Sequence, residues 1–214
     1  MAPTADHPLA TQTIVLASGE PLYHQGQWDN SVYIVESGHL KLEHVAASGT
    51  ASIAAVLGAG EILGAGLGST ETATQTASAK GATRVVRYTA DRFQARMDAE
   101  PALAGHVIRM LARRQEITER RLYALMTLDV RGRVAVTLLD LVGQAGGHCS
   151  HGHEVDVPLT QQELAELIGA SRPVVSVELN ELRREGLLDY TRGHICVVDL
   201  DRLSTFANRR LDEC

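Results

Sequence analysis

The chain has 214 residues, 44% of them hydrophobic and 21% charged, and its formal net charge is −6. This length suffices for two modest domains with buried cores, and the composition excludes a disordered chain. No apolar run reaches the roughly 20 residues of a membrane-spanning helix, and the N-terminus lacks a secretory signal, so we expect a cytoplasmic protein without a membrane partner. The odd, scattered set of Cys149, Cys196 and Cys214 is a poor basis for disulfides.

The acidic balance argues at first against a nucleic-acid partner, because phosphate-binding domains are usually basic. The charge is unevenly distributed, however. Residues 1–83 carry a net charge of −5, residues 84–128 carry +4 and residues 129–214 carry −5. This distribution indicates three regions along the chain.

The first region has the pattern of a many-stranded antiparallel β-sheet. From Thr13 to about Phe93, short apolar runs are separated by glycines at intervals of roughly ten residues. A hairpin turn is predicted at Ser37-Gly38, and we expect the sheet to close as a small barrel or roll. The predicted strands cover residues 31–36, 39–44, 51–57 and 83–88.

From Asp98 to Leu128 the sequence predicts one long helix, with Pro101 in its first turn. About 30 residues at 1.5 Å each give roughly 45 Å, too long for either small neighbour to cover alone. Apolar residues recur with heptad spacing, so we expect a partner helix from a second subunit. The alternative is an apolar stripe that packs against the chain's own roll. The predicted dimerisation residues are Leu103, Val107, Met110, Ile117, Ala124 and Leu128.

The third region begins as a helical domain. A helix is predicted from Arg133 to Gln144, and a loop follows as far as Pro158. Thr160 and Glu163 have the spacing of a capping box, in which each side chain bonds the other residue's backbone amide, so a second helix starts there. Gly169 then gives a tight turn.

The segment after this turn completes a known arrangement. Ser171 is predicted to cap a further helix that ends before Gly186, and residues 187–198 are predicted to form a two-stranded wing. Helix, tight turn, second helix and wing make a winged helix-turn-helix, whose second helix enters the DNA major groove. The order of these elements predicts a DNA-binding domain.

The residues at these helix ends have chemistry that suits DNA. Hydroxyl and amide side chains lie at two helix N-termini, where free backbone N–H groups also attract phosphate. Arg172 can donate two hydrogen bonds to guanine O6 and N7. Helix capping would explain any one of these residues, but not the whole set in this order. The predicted DNA-binding residues are Thr160, Gln162, Ser171, Arg172, Ser176, Val177, Asn180 and Arg192.

The whole chain resembles the Crp/Fnr family of bacterial transcription regulators. The resemblance implies an α+β fold in which an N-terminal cyclic-nucleotide-binding-type β-roll is followed by a long dimerisation helix and a C-terminal winged helix-turn-helix. The corresponding domains are residues 1–97, 98–128 and 129–214. The similar passages are residues 22–26, 32–38, 60–64, 128–134 and 159–182.

The family resemblance also implies partners. We expect a homodimer that regulates transcription by sequence-specific binding to double-stranded DNA, at a palindromic operator with half-sites about one helical turn apart. RNA polymerase is the expected protein partner. The roll lacks the paired histidines and following glutamate of a cupin-like metal site, so no enzyme activity is expected.

The sequence departs from the members of the family that bind cyclic AMP. In those members a Glu follows the glycine at the entrance of the effector loop, and an Arg-Ser or Arg-Thr pair clamps the cyclic phosphate. Here Ala65 follows Gly64, and no arginine occurs from Glu71 until Arg84. A buried phosphate without its guanidinium would be costly, so cyclic AMP is not the expected effector. An iron–sulfur cluster is excluded, because no cysteine precedes Cys149. No cofactor is identified.

The predicted recognition helix also departs from members that read TGTGA-type half-sites. Those members carry Arg, Glu and a second Arg along this helix, whereas here Pro173 and Val177 replace the last two. We therefore expect a half-site different from TGTGA. Arg172 would be the main base reader, and Val177 would contact a thymine methyl group.

Histidines leave a metal- or haem-responsive sensor open as the alternative function. The glycine-rich loop before Pro158 contains ligand types that suit zinc, copper or nickel. In the family, however, this loop often presents a surface to RNA polymerase. The candidate metal ligands are His148, Cys149, His151 and His153, and the candidate haem ligands are His24, His39, His44 and His106.

Overall fold

The computed structural model describes residues 12–68, 72–145, 147–149, 152–155, 157–191 and 194–212. The chain divides into two compact units, Met1–Arg113 and Arg114–Cys214. Within the described residues, every helix is too short or too polar to cross a bilayer. The long helix predicted between roll and DNA-binding domain contributes residues to both units, and the division into three functional regions stays a proposal.

The first unit contains a six-stranded sheet in which every pairing is antiparallel, as predicted. Its main path runs β1-β6-β3-β4, while β2 pairs with β6 and β5 pairs with β3. We call this sheet the roll. Its strands are β1 (Gln12–Leu16), β2 (Pro21–Tyr23), β3 (Ser31–Val45), β4 (Ala51–Leu57), β5 (Ile62–Leu63) and β6 (Thr76–Thr89).

The hairpin predicted at Ser37-Gly38 is wrong. The chain passes straight through these residues, and both halves of β3 pair with β6. The register shifts on either side of Ser37, and Gly38 has a φ of 79°. A Cβ at Gly38 would lie 2.4 Å from the carbonyl oxygen of Ala82. The glycine therefore allows a β-bulge and a close approach to β6, where sequence reasoning expected a turn.

Two apolar clusters fill the first unit. One lies inside the roll and contains side chains from all six of its strands and from the segment before β6. The other joins the roll to the helices that follow it. The first cluster is Leu16, Tyr23, Tyr33, Val35, Leu40, Leu42, Leu57, Leu63, Ala73, Ala77, Ala79 and Val85. The second is Val32, Ile34, Ile62, Val86, Tyr88, Phe93, Leu103, Val107 and Met110.

The long helix is confirmed as α2 (Pro101–Thr127), but a shorter helix that was not predicted, α1 (Ala90–Ala99), precedes it. Thr89 caps α1, because its hydroxyl accepts a hydrogen bond from the Arg92 amide over 3.4 Å. Glu100 leaves the helical conformation and separates the two helices.

Several of the predicted dimerisation residues of α2 have contacts within the chain itself. Leu103, Val107 and Met110 are buried in the second cluster, against the chain's own roll. Ala124 and Leu128 are also buried, and Ile117 is partly buried. The alternative of an internal apolar stripe therefore applies to Leu103, Val107 and Met110, because side chains buried within the chain leave little surface for a partner helix. The seam between subunits stays a prediction.

The second unit packs four helices with a four-stranded sheet. Its helices are α3 (Val130–Ala145), α4 (Gln161–Ile168), α5 (Arg172–Arg184) and α6 (Leu200–Asp212). The strands β7 (Gly147–Cys149), β8 (Gly152–Val155), β9 (Leu188–Thr191) and β10 (His194–Val197) pair antiparallel in the order β7-β8-β10-β9.

Four predictions for this unit need correction. The loop expected before Pro158 contains β7 and β8, which extend the two-stranded wing to four strands. The helix α6 was not predicted, and α3 starts three residues early, where Asp129 accepts a hydrogen bond from the Gly132 amide over 2.8 Å. Cys196 is disulfide-bonded, so the argument against disulfides was wrong.

A buried polar network ties the start of β3 to β6. The Tyr33 hydroxyl donates a hydrogen bond to Asp29 over 2.9 Å, and Arg87 donates to the Ser31 hydroxyl over 2.8 Å. Asp29, Ser31 and Tyr33 are all buried. Burial, and secondarily the hydrogen bond to Asp29, raises the pKa of Tyr33 to about 12, well above the usual tyrosine pKa of 10.0.

This shift predicts alkaline destabilisation of the roll. Because the folded state holds the Tyr33 proton more tightly than the unfolded state, the stabilisation is complete below pH 10 and is lost as the pH rises towards 12. About 2–3 kcal/mol of unfolding free energy should disappear over this interval. Urea unfolding at several pH values would measure the loss. In Tyr33→Phe the slope with pH should be shallower by one proton, and an unchanged slope would contradict the assignment.

Candidate functional site

The N-terminus of α4 is held by a complete capping box. The Thr160 hydroxyl accepts a hydrogen bond from the Glu163 amide over 3.2 Å, and the Glu163 carboxylate accepts one from the Thr160 amide over 2.9 Å. This prediction is confirmed. Gln162, the residue before Glu163, is exposed, and its side-chain amide donates a hydrogen bond to the Glu166 carboxylate over 2.8 Å. Thr160 and Gln162 thus lie at one exposed helix end, where phosphate could contact them.

The turn between α4 and α5 is fixed from two sides. Gly169 adopts a left-handed conformation with a φ of 65°, as a tight helix end requires. Arg133 of α3 donates hydrogen bonds to the carbonyl oxygens of Ile168 and Gly169 over 3.0 and 3.3 Å. Sequence reasoning found the glycine but missed the arginine, because a contact between α3 and this turn has no local sequence signal.

The helix α5 follows with Pro173 in its first turn, as predicted. Its buried face consists of Val175, Leu179 and Leu182, and the helix packs against α3 and α4. Ser171 occupies the N-cap position, but its side chain makes no capping hydrogen bond. The predicted capping hydrogen bond of Ser171 is therefore wrong, although the predicted start of the helix is correct.

The face of α5 opposite its core is exposed. Arg172 at its start and Val177 in its second turn are exposed, Ser176 is partly buried, and Asn180 is exposed one turn further on. These predicted DNA-binding residues therefore share one half of the helix. The predicted wing residue, Arg192, lies outside the described residues.

Asn180 has a structural role that the sequence did not indicate. Its side-chain nitrogen donates to the Ser176 carbonyl oxygen over 2.7 Å, and its side-chain oxygen accepts from the Tyr190 hydroxyl over 2.9 Å. Because Tyr190 belongs to β9, this amide connects α5 to the wing sheet. Asn180 thus positions these elements relative to each other.

Three arginines on or near α5 form ion pairs with carboxylates. Arg183 lies 2.9 Å from Asp189, and Arg184 pairs with Glu181. Arg131 of α3 reaches Glu185 over 2.6 Å. Within the described part of the chain, Arg172 has no such ion pair, so its guanidinium remains available for a partner.

The region expected to hold a cyclic phosphate has different contacts. Ala65 begins a short 3-10 turn after Gly64. The Thr76 hydroxyl accepts a hydrogen bond from the Gln25 amide over 3.0 Å, and Gln75 Nε2 lies 3.2 Å from His44 Nε2. Arg84, the first arginine after this region, lies 3.5 Å from Glu36 on the neighbouring strand. Gln75 and Thr76 of the expected clamp thus contact other residues of the roll itself.

The candidate metal and haem ligands lie partly within and partly outside the described residues. Among the described residues, no three His, Cys, Asp or Glu side chains lie close enough together to hold a metal ion. His151 and the side chains of His148 and Cys149 lie outside the described set, whereas His153 is described on β8. The haem candidate His44 lies beside Gln75. The other haem candidates are His24 in the turn after β2, His39 on β3 and His106 on α2.

Comparison with known proteins agrees with both units. Residues 132–206 match the Crp-like helix-turn-helix domain family, and residues 13–100 match the cyclic nucleotide-binding domain family. The chain is 29% identical over 195 residues to the CRP-like cAMP-activated global transcriptional regulator of Mycobacterium tuberculosis, an alignment of 90% of this chain and 87% of that protein. It is 28% identical over 174 residues to the cAMP-activated global transcriptional regulator CRP of Salmonella typhimurium, covering 80% of this chain and 82% of the relative.

A solved structure shares the architecture. TTHB099, a CRP-family transcriptional regulator from Thermus thermophilus, superimposes with a TM-score of 0.74 at 25% identity, over 91% of this chain and 96% of that one. The α+β fold, with a nucleotide-binding-type sheet domain, a long helix and a helix-turn-helix with its small sheet, is therefore confirmed. Because the two domain families together match most of the chain and the relatives align with most of its length, the chain belongs to the Crp/Fnr family of DNA-binding transcription regulators, a non-enzymatic family.

Proposed function

We propose that the protein is a homodimeric regulator that binds a palindromic operator, acts on RNA polymerase in the cytoplasm and does not respond to cyclic AMP. The exposed N-terminal half of α5, held behind the Gly169 turn, is the observation that supports sequence-specific binding. Arg172 stands at its tip without an ion pair among the described residues, and the termini of α4 and α5 offer donors to phosphate.

The proposed insensitivity to cyclic AMP rests on charge. A cyclic phosphate is a monoanion that needs a cationic or strongly donating partner in a partly buried site. Around the expected clamp, Gln75 and Thr76 contact other parts of the roll, and Arg84 lies beside a carboxylate. The relatives in Mycobacterium tuberculosis and Salmonella typhimurium are named as cAMP-activated, so this chain would differ from them in its control.

One experiment tests both parts of this proposal. An operator is selected from random duplex DNA with the purified full chain, and its affinity is then measured with and without cyclic AMP. We expect nanomolar, sequence-selective binding that is unchanged by the nucleotide. Failure to enrich any sequence would overturn the regulator proposal, whereas a large gain in affinity with cyclic AMP would overturn only the proposed insensitivity.

The proposed dimer uses a face of α2 other than the one the sequence indicated. Ile108 and Leu122 are separated by two heptads, and Leu111 and Leu125 show the same separation. All four side chains are exposed, Ile108 to 67% and Leu122 to 58%. Apolar residues at this spacing are typical of a helix that pairs with another helix. Four apolar side chains exposed to water on one helix would be unfavourable in a monomer. A second copy of α2 is the partner that matches the spacing, because a symmetric dimer presents the same face twice.

We expect Ile108→Glu to convert the dimer to a monomer and to weaken operator binding at least tenfold. The substitution would bury two carboxylates close together at the interface, which is costly. Light scattering after size-exclusion chromatography would report the molecular mass. Val15→Glu is the matched control, because Val15 is also 67% exposed but lies on β1 of the roll. If the Ile108 variant stays dimeric, this face of α2 is not the interface.

A further inference from the structure

We propose that Val174 and Val177 together read the 5-methyl groups of thymine, so that the operator half-site contains thymine in addition to the guanine contacted by Arg172. The inference rests on the proposed sequence-specific binding and specifies the base class that α5 selects. Sequence reasoning assigned a contact of this kind to Val177 alone and placed Val174 in the buried stripe of the helix, which is wrong because Val174 is 41% exposed.

The two valines form an apolar surface on the exposed side of α5. Val177 is 56% exposed and Val174 is 41% exposed. They are three residues apart, so their side chains are neighbours on one face of the helix. Pro173 is also exposed at the start of this face. The buried stripe, Val175, Leu179 and Leu182, points the other way.

Exposed β-branched residues here are unusual for a surface helix. Helical surface positions favour long charged or polar side chains, which have higher helix propensity than valine. Two exposed valines in the first two turns therefore weaken the isolated helix slightly, and a large part of each side chain stays exposed. A ligand with apolar groups would explain them.

The position of the two valines in the family's helix-turn-helix domain points to DNA as that ligand. The valines lie within the Crp-like helix-turn-helix match, on its second helix. In the major groove, thymine is the only base that presents a methyl group, and valine has no hydrogen-bonding group with which to read any other base edge. Arg172, two residues before Val174, supplies the donors that guanine requires.

The test replaces thymine by uracil, which removes only the 5-methyl group. In the selected operator, one thymine position at a time is changed to uracil, at the symmetric position in both half-sites. The affinity of each changed operator for the full chain is then measured. We expect one or two positions at which uracil weakens binding about fourfold per half-site, and therefore roughly fifteenfold for the palindrome. Val177→Ala and Val174→Ala should each remove the sensitivity at one of these positions.

Val45→Ala is the matched control, because Val45 is 44% exposed but lies on β3 of the roll. It should keep the full sensitivity to uracil. Since both α5 valines are exposed, their alanine variants should fold, and unchanged thermal melting would verify this. Tight, selective binding that is indifferent to uracil, or a sensitivity that survives both substitutions, would overturn the inference and leave the proposed function standing. Absence of any selective binding would overturn both.

Discussion

Replacing Asp140 by alanine is expected to destabilise the second unit by about 3–5 kcal/mol. Asp140 lies on α3, and its carboxylate is almost completely buried. Arg120 of α2 donates a hydrogen bond to it over 2.6 Å, and Arg121 lies 3.8 Å away. Burial lowers the pKa of the Arg121 guanidinium, and the Asp140 charge opposes this effect. Without the carboxylate, the buried guanidinium would lose its counter-charge.

Urea unfolding followed by circular dichroism would measure this loss. Only the transition of the second unit should move, because all three side chains belong to that unit. Asp201→Ala serves as the control, since Asp201 is an exposed carboxylate on α6 and its removal should cost less than about 0.5 kcal/mol. Similar effects of the two substitutions would show that the ion cluster contributes little to stability.

Arg172→Ala should produce the largest loss of operator affinity among single substitutions on α5. A bidentate arginine–guanine pair contributes about 1–3 kcal/mol of discrimination. Two symmetric half-sites would therefore lose about 2–6 kcal/mol, roughly thirtyfold to twenty-thousandfold in Kd. Folding should not change, because the side chain is exposed and has no ion pair among the described residues.

The control for this substitution must remove the same charge elsewhere. Arg92 is exposed on α1 of the first unit, so Arg92→Ala lowers the net charge equally without touching α5. We expect it to leave operator affinity nearly unchanged. For Arg172→Ala, selective binding should collapse towards the non-specific level, and the base preference at one position should relax. A uniform loss on all sequences would instead identify Arg172 as a phosphate contact.

Local sequence signals predicted the features that depend on a few neighbouring residues. The Thr160–Glu163 capping box, the left-handed Gly169 and the proline in the first turn of α5 follow from backbone hydrogen bonding and dihedral preferences, and all three are present. The helix α2 was predicted for the same reason. Its uninterrupted helical pattern needs no information from the rest of the chain.

Features that depend on distant contacts could not be predicted in this way. A glycine between two apolar runs occurs both in hairpin turns and in β-bulges. Only the pairing of β3 with β6 shows that Gly38 lies in a bulge. The heptad pattern of α2 predicted an apolar face correctly, but the burial of Leu103, Val107 and Met110 depends on where the roll lies. Arg133 and Asn180 position the recognition helix through contacts that leave no local pattern.

The two-residue strand β5 has a mechanical consequence. Its adjacent side chains enter different clusters: Leu63 lies inside the roll, and Ile62 lies beneath α2, where its backbone amide also contacts the Met110 sulfur over 3.2 Å. A strand this short and fully buried cannot tilt on one side only, because densely packed interiors transmit strain rather than absorb it. We therefore expect a substitution that displaces Leu63 to disturb, through Ile62, the packing of β5 against Leu103, Val107 and Met110 of α2 as well.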